Sequence, residues 1–226
     1  MHKSKKPQNQ IVQFLRETAV VVIGVAITLS ASYFITRSSE KRDMYLYLNT
    51  IKMELEENLK VLDQSAVIYQ RHVRYADYLR SNDKEELTPD SISHYSNVYY
   101  GYSPYTFNNN AFEMFKTSGI MRLMNDKELL LSIWDIYSGL SEIKTMLDLY
   151  MNMRLEDMKK EKDWSLTEKL KNIPMYNFYI TEAPYNMQYA CEEGSRGVNE
   201  VLLMLDKTLK NKKKPENESL IPETNE

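Results

Sequence analysis

The sequence is short of cysteine, glycine and proline, and each shortage excludes something. A single cysteine, Cys191, rules out an intramolecular disulfide and any zinc or iron-sulfur site built from several cysteines. Six glycines and seven prolines in 226 residues are too few for a strand-and-turn protein. Long stretches of Leu, Met, Glu and Lys favour helices instead, so the composition predicts an all-α fold. Charge of one sign is also scarce: the formal net charge is -3, and Lys and Arg are interleaved with Asp and Glu. No basic face is left to neutralise phosphates, so nucleic acid is not expected as a partner.

Chemical motifs are scarce too. The three histidines, His2, His72 and His94, sit apart, outside any metal-ligand spacing. There is no glycine-rich phosphate loop and no Gly-x-Ser-x-Gly elbow. Cys191 has no local motif and reads as a buried or idle thiol. Glu54, Glu56 and Glu57 can share a helix face, but a solvated acidic patch accounts for them. Asn217-Glu218-Ser219 matches a glycosylation sequon by a three-residue coincidence in a polar tail. No cofactor, metal or catalytic residue is assigned, and the expectation is a protein that is not an enzyme.

What is present is a membrane anchor. From Thr18 to Ile35 the chain runs eighteen residues without a charge, bounded by Arg16 and Glu17 before it and Arg37 after it. That length suffices to cross hydrocarbon as a helix, where the backbone must satisfy its own hydrogen bonds whatever the helix propensity of its valines and isoleucines. A cleaved signal peptide is the competing reading, with Lys3, Lys5 and Lys6 as charged start and Ser30-Ala31-Ser32 as cleavage site. The apolar run is long for a signal core and its helix continues past that site, which favours a retained span over residues 18–36. Lys3, Lys5, Lys6 and Arg16 on one side, against Arg37, Lys41 and Arg42 on the other, place the 1–17 segment in the cytoplasm of a bacterium. The domain over 37–210 is then expected beyond the inner membrane, in a single-pass arrangement. Gly24, Thr28 and Ser32 recur every fourth residue and line one face, the spacing that lets membrane helices pack closely.

Beyond the anchor, Met44, Leu48, Ile51, Leu55, Leu59, Leu62, Ala66, Tyr69, Val73, Ala76 and Leu79 step by threes and fours. They predict one long amphipathic helix continuing from the span to about Ser81, its stripe either a coiled-coil seam or a face for later helices. Thr88-Pro89-Asp90 opens a short helix to about Tyr100. Gly101 to Asn110 reads as a loop, and Ala111 to Ser118 as a short helix stopped by Gly119. A cap at Asn125 with Glu128 three residues on opens a second long helix, through Leu129, Ile133, Ile136, Leu140, Ile143, Leu147, Tyr150 and Leu155, to about Lys162. Asn172 to Met187, holding Pro174 and Pro184, reads as an ordered connection, and Val198 to Leu209 as the last helix. From Asn211 the tail is polar and expected to be disordered.

One local concentration offers a binding surface: Tyr95, Tyr99, Tyr100, Tyr102, Tyr105 and Phe107, flat apolar rings with hydroxyls. The alternative is that these rings pack their loop onto the helices.

Two segments carry a resemblance. One is Glu17 followed by the apolar run with Ile23-Gly24 and Leu29; the other is Phe112 to Gly119, ending Lys116-Thr117-Ser118-Gly119, ahead of Asp126-Lys127-Glu128-Leu129 and Tyr137. In these the chain resembles an uncharacterised family of small bacterial single-span membrane proteins, a domain of unknown function. It departs at Phe34, where such proteins usually carry tryptophan. The resemblance implies a membrane-anchored helical domain and no activity. Together these readings point to an interaction or scaffold protein of an envelope complex. Its partners would be the lipid bilayer and another protein, or a second copy of itself, met through the membrane helix or the long helices. The alternative is an extracytoplasmic sensor or ligand-binding module using the tyrosine-rich surface.

Overall fold

The computed structural model describes residues 8–81, 90, 105–160, 162–163, 165, 168 and 182–213. The fold is all-α, with no strand among the described residues. In order come α1 (Gln8–Ser81), α2 (Asn110–Thr117), a 3-10 turn (Ile120–Leu123), α3 (Lys127–Lys160) and α4 (Ala183–Lys213). The helix expected after Thr88 and the tail after residue 213 lie outside the described residues. The chain divides into two compact units, Met1–Leu46 and Tyr47–Glu226.

In the first unit, α1 is long and apolar enough to cross a membrane. Its residues 14–38 are exposed throughout. Polar groups here are satisfied locally: the Thr28 hydroxyl donates to the Gly24 carbonyl at 2.9 Å, and Arg37 folds back to donate to the Tyr33 hydroxyl at 2.7 Å. Both habits suit a helix that must keep its polarity to itself or carry it to an interface.

Among the described residues, the second unit is a bundle of three long helices. Glu54 meets Tyr137 and His72 meets Tyr150, so α1 and α3 run in the same direction. α4 runs against both, because Lys52 pairs with Asp206, Ser195 with Asp63 and Tyr185 with Asp77. A parallel pair needs a crossover to return the chain to its starting end. α2 lies at that end, its fully buried Phe115 beside Tyr47 with ring centroids 6.2 Å apart.

The α1 stripe therefore packs on later helices. Beside buried Glu54 and Tyr75, the inward row from Leu48 is Leu48, Ile51, Leu55, Asn58, Leu62, Ser65, Tyr69, His72, Ala76 and Leu79. They alternate strictly by three and four, the 3.5-residue period of supercoiled helices. The spacing of apolar residues predicts Leu59, Ala66 and Val73 in this stripe, and the structure corrects all three. They are half-buried, and the residue before each, Asn58, Ser65 and His72, points inward. A search for apolar residues slips one position wherever the core is polar.

α4 repeats the period with Pro184, Met187, Cys191, Gly194, Val198, Val201 and Leu205 buried. It is a third long helix, beginning fifteen residues before the expected Val198. Pro184 is its second residue, where a missing N–H costs nothing. Gly194 sits where helices approach: a Cβ there would lie 2.7 Å from Ile143 Cδ1 and 3.2 Å from Leu62 Cδ2.

The local stops are as the residue types dictate. α2 ends at Gly119, which takes φ +73°. The cap of α3 is Asp126 rather than Asn125, because Asp126 Oδ1 accepts the Leu129 N–H at 3.0 Å while its own carbonyl takes the Leu130 N–H. At the other end of α3, Leu155 is exposed.

Candidate functional site

Of the three acids on α1, Glu56 and Glu57 are solvated, as a surface patch should be. Glu54 is not: its side chain is buried between α1, α2 and α3. Its two oxygens accept three hydrogen bonds, from the Ala111 N–H at 2.8 Å, the Phe112 N–H at 3.4 Å and the Tyr137 hydroxyl at 2.6 Å. The reading of Glu54 as part of a solvated patch is thus corrected. Asn109, at the cap of α2, makes no side-chain cap bond, and Glu54 supplies the acceptor from another helix. A carboxylate there also opposes the positive end of the α2 dipole. Burial and the bond to Glu54 push the Tyr137 hydroxyl well above its ordinary range.

One turn on, Asn58 repeats the device with an amide. Its Nδ2 donates to the Asn108 carbonyl at 2.7 Å and its Oδ1 accepts the Asn108 N–H at 2.8 Å. Glu54 and Asn58 therefore hold residues 108–112 to α1 at both backbone polarities. Phe112 stacks flat on Tyr137, centroids 4.3 Å apart at 3°, and meets the edge of Trp134 at 5.7 Å. Lys116 lies over both Phe112 and Trp134. The signal in the sequence was position: Glu54 and Asn58 lie three residues beyond Ile51 and Leu55, on the inward side.

A second polar cluster lies toward the Ser81 end. The Arg154 guanidinium donates to His72 Nδ1 at 3.1 Å, and the Tyr150 hydroxyl is 3.2 Å from the same nitrogen. Since guanidinium has only donors, Nδ1 accepts and the ring proton sits on Nε2. Burial, assisted by Arg154, pulls His72 down to about 3. Tyr69 packs edge-on against both His72 and Tyr150. Cys191 is fully buried in α4, and burial pushes its thiol up to about 12, far from the thiolate a nucleophile needs. Among the described residues no group of three or more His, Cys, Asp or Glu gathers as a metal site.

Of the tyrosine-rich segment, Tyr95, Tyr99, Tyr100 and Tyr102 lie outside the described residues. Tyr105 and Phe107 are half-buried, with ring centroids 6.2 Å apart, and the Tyr105 hydroxyl donates to Asp148 Oδ1 on α3 at 3.0 Å. Tyr105 is thus tied to the bundle by its polar end, with Phe107 beside it. Gly24, Thr28 and Ser32 are exposed along α1, and a Cβ at Gly24 would meet nothing within 4 Å.

The arrangement thus offers one exposed apolar helix and a bundle whose buried Glu54, Asn58 and His72 all bind other parts of the same chain. Compared with protein-family models, curated proteins and solved structures, the chain matches none.

Proposed function

We propose that this chain is a membrane-anchored interaction or scaffold protein, a subunit of an envelope complex rather than an enzyme. α1 serves as its single-pass anchor in a bacterial cytoplasmic membrane, the N-terminus in the cytoplasm and the bundle beyond the membrane. The observation that carries this reading is the use made of polar chemistry. Glu54, Asn58 and His72 are occupied in joining helices, while the apolar part of α1 is exposed along its length. The face of Gly24, Thr28 and Ser32 is where a partner membrane helix would pack. The resemblance carried by Glu17 to Leu29 and by Phe112 to Tyr137 supports the same architecture.

Purification in mild detergent with chemical crosslinking tests the proposal. A specific crosslinked partner or a homo-oligomer is expected. A strictly monomeric protein that brings nothing with it would refute it.

A further inference from the structure

The two ends of the bundle are built from different material. At the Tyr47 end the core is Leu48, Ile51, Leu55 and Leu62 with Leu129, Ile133, Val198 and Leu205, none of them exposed. Its two polar intruders, Glu54 and Asn58, have their hydrogen bonds made inside the protein. Toward Ser81 the inward residues become Ser65, Tyr69 and His72 on α1, Leu147 and Tyr150 on α3 with half-buried Arg154 beside them, and Met187 and Cys191 on α4. Beyond them come Tyr75, Ala76 and Leu79 on α1 and Ala183 on α4, the alanines burying little area. Among the described residues, neither the Ser65 nor the Tyr69 hydroxyl has a hydrogen-bond partner, although both side chains are more than nine-tenths buried. A buried hydroxyl without a partner subtracts from stability.

Polar groups on its surface also fasten this end. The Tyr185 hydroxyl donates to Asp77, Arg80 pairs with Glu182, and the Arg80 guanidinium lies 5.1 Å from the Tyr185 ring centroid. Exposed pairs of this kind contribute little each. A core interrupted by polar side chains and fastened by exposed polar pairs marks a segment that opens locally.

We propose that the Ser81 end of the bundle is a separate opening unit: the first three turns of α4 leave α1 and α3, exposing Cys191, while the Tyr47 end stays packed. This rests on the fold alone, and it stands or falls independently of the scaffold reading.

Cys191 is the only cysteine, so thiol labelling of the full chain in lipid nanodiscs reports this opening directly. In native buffer, labelling is expected about 100-fold faster than whole-bundle unfolding permits, with a shallow urea dependence. Backbone amides of Ile51, Leu55 and Ile133 should stay protected from hydrogen exchange over the same period. Tyr185→Phe, at a half-buried site, removes the hydroxyl that donates to Asp77 and accepts from Arg80 at 3.4 Å. It should speed labelling about fivefold, the combined worth of these two surface hydrogen bonds, and leave those amides unchanged. Labelling with the urea dependence and size of the amide exchange would overturn the proposal, because the bundle would then open as one unit. Labelling indifferent to Tyr185→Phe would overturn it as well.

Discussion

The Tyr137 hydroxyl donates to Glu54 Oε1 at 2.6 Å, joining α3 to α1 through a carboxylate that also holds the first amides of α2. Three elements meet on one side chain, and all its partners are donors. Truncation would strand those donors in a buried place, which costs more than the bonds themselves were worth. Glu54→Ala should therefore destabilise the bundle by about 3 kcal/mol. Tyr137→Phe, which strands nothing but one acceptor site, should cost about 1 kcal/mol. Urea denaturation of the chain in detergent checks both. Equal small losses would mean that Glu54 is hydrated and not a tie.

Two glycines should respond to alanine with opposite signs. Gly119 stands at φ +73° with nothing within 4 Å of its missing Cβ, so only backbone strain opposes a side chain there. Gly119→Ala should cost about 1 kcal/mol. Gly139 lies inside α3, equally free of neighbours. Gly139→Ala should gain about 0.5–1 kcal/mol, by helix propensity and a less free unfolded chain. Thermal melts of the two variants decide it, and shifts in the same direction would contradict this account.

Space, not conformation, governs Gly194. Its missing Cβ would fall 2.7 Å from Ile143 Cδ1, but that atom is the end of a flexible side chain. Gly194→Ala should be accommodated at a cost of about 1 kcal/mol, while Gly194→Leu should cost about 3 kcal/mol by forcing α4 away from α1 and α3. A urea midpoint for the leucine variant no lower than for the alanine variant would show that the helices are not so closely set.

The period of the long helices could be read from the residues, and the identity of the inward polar ones could not. Leu48, Ile51, Leu55 and Leu62 mark the α1 stripe without ambiguity, because apolar side chains recur there at threes and fours. At Asn58, Ser65 and His72 the same rule misleads. An apolar neighbour stands one residue later each time, and hydropathy prefers it. Strict alternation of three and four would have chosen the polar positions. For two of them the partners are distant in sequence, Asn108 for Asn58 and Arg154 for His72. The early start of α4 was hidden for a related reason. Pro184 reads as an interruption until one knows that it opens the helix. The exposed apolar anchor, by contrast, needs no partner within the chain to be recognised, since its signal is continuous along the sequence.

His72 makes stability depend on pH in a calculable direction. Its folded value is pulled down to about 3, from an ordinary 6.5, by burial and by the Arg154 guanidinium. Below pH 6.5 the unfolded chain takes up a proton that the folded chain refuses. The stability this provides is complete above pH 6.5 and is lost as pH falls toward about 3. In the middle of that window the slope approaches about 1.4 kcal/mol per pH unit. Asp148 and Asp206, held low by Lys144, Tyr105 and Lys52, add losses of the same sign below their unfolded values. The interval from pH 6.5 to 5 therefore isolates the histidine. There, the urea midpoint of the native chain should fall with pH, while that of His72→Gln, lower at pH 7 because its amide fits the Arg154 donor less well, should stay nearly level. The two curves should converge as the solution is acidified. Parallel curves would mean that the imidazole takes up its proton in the folded bundle, with Arg154 yielding to make room.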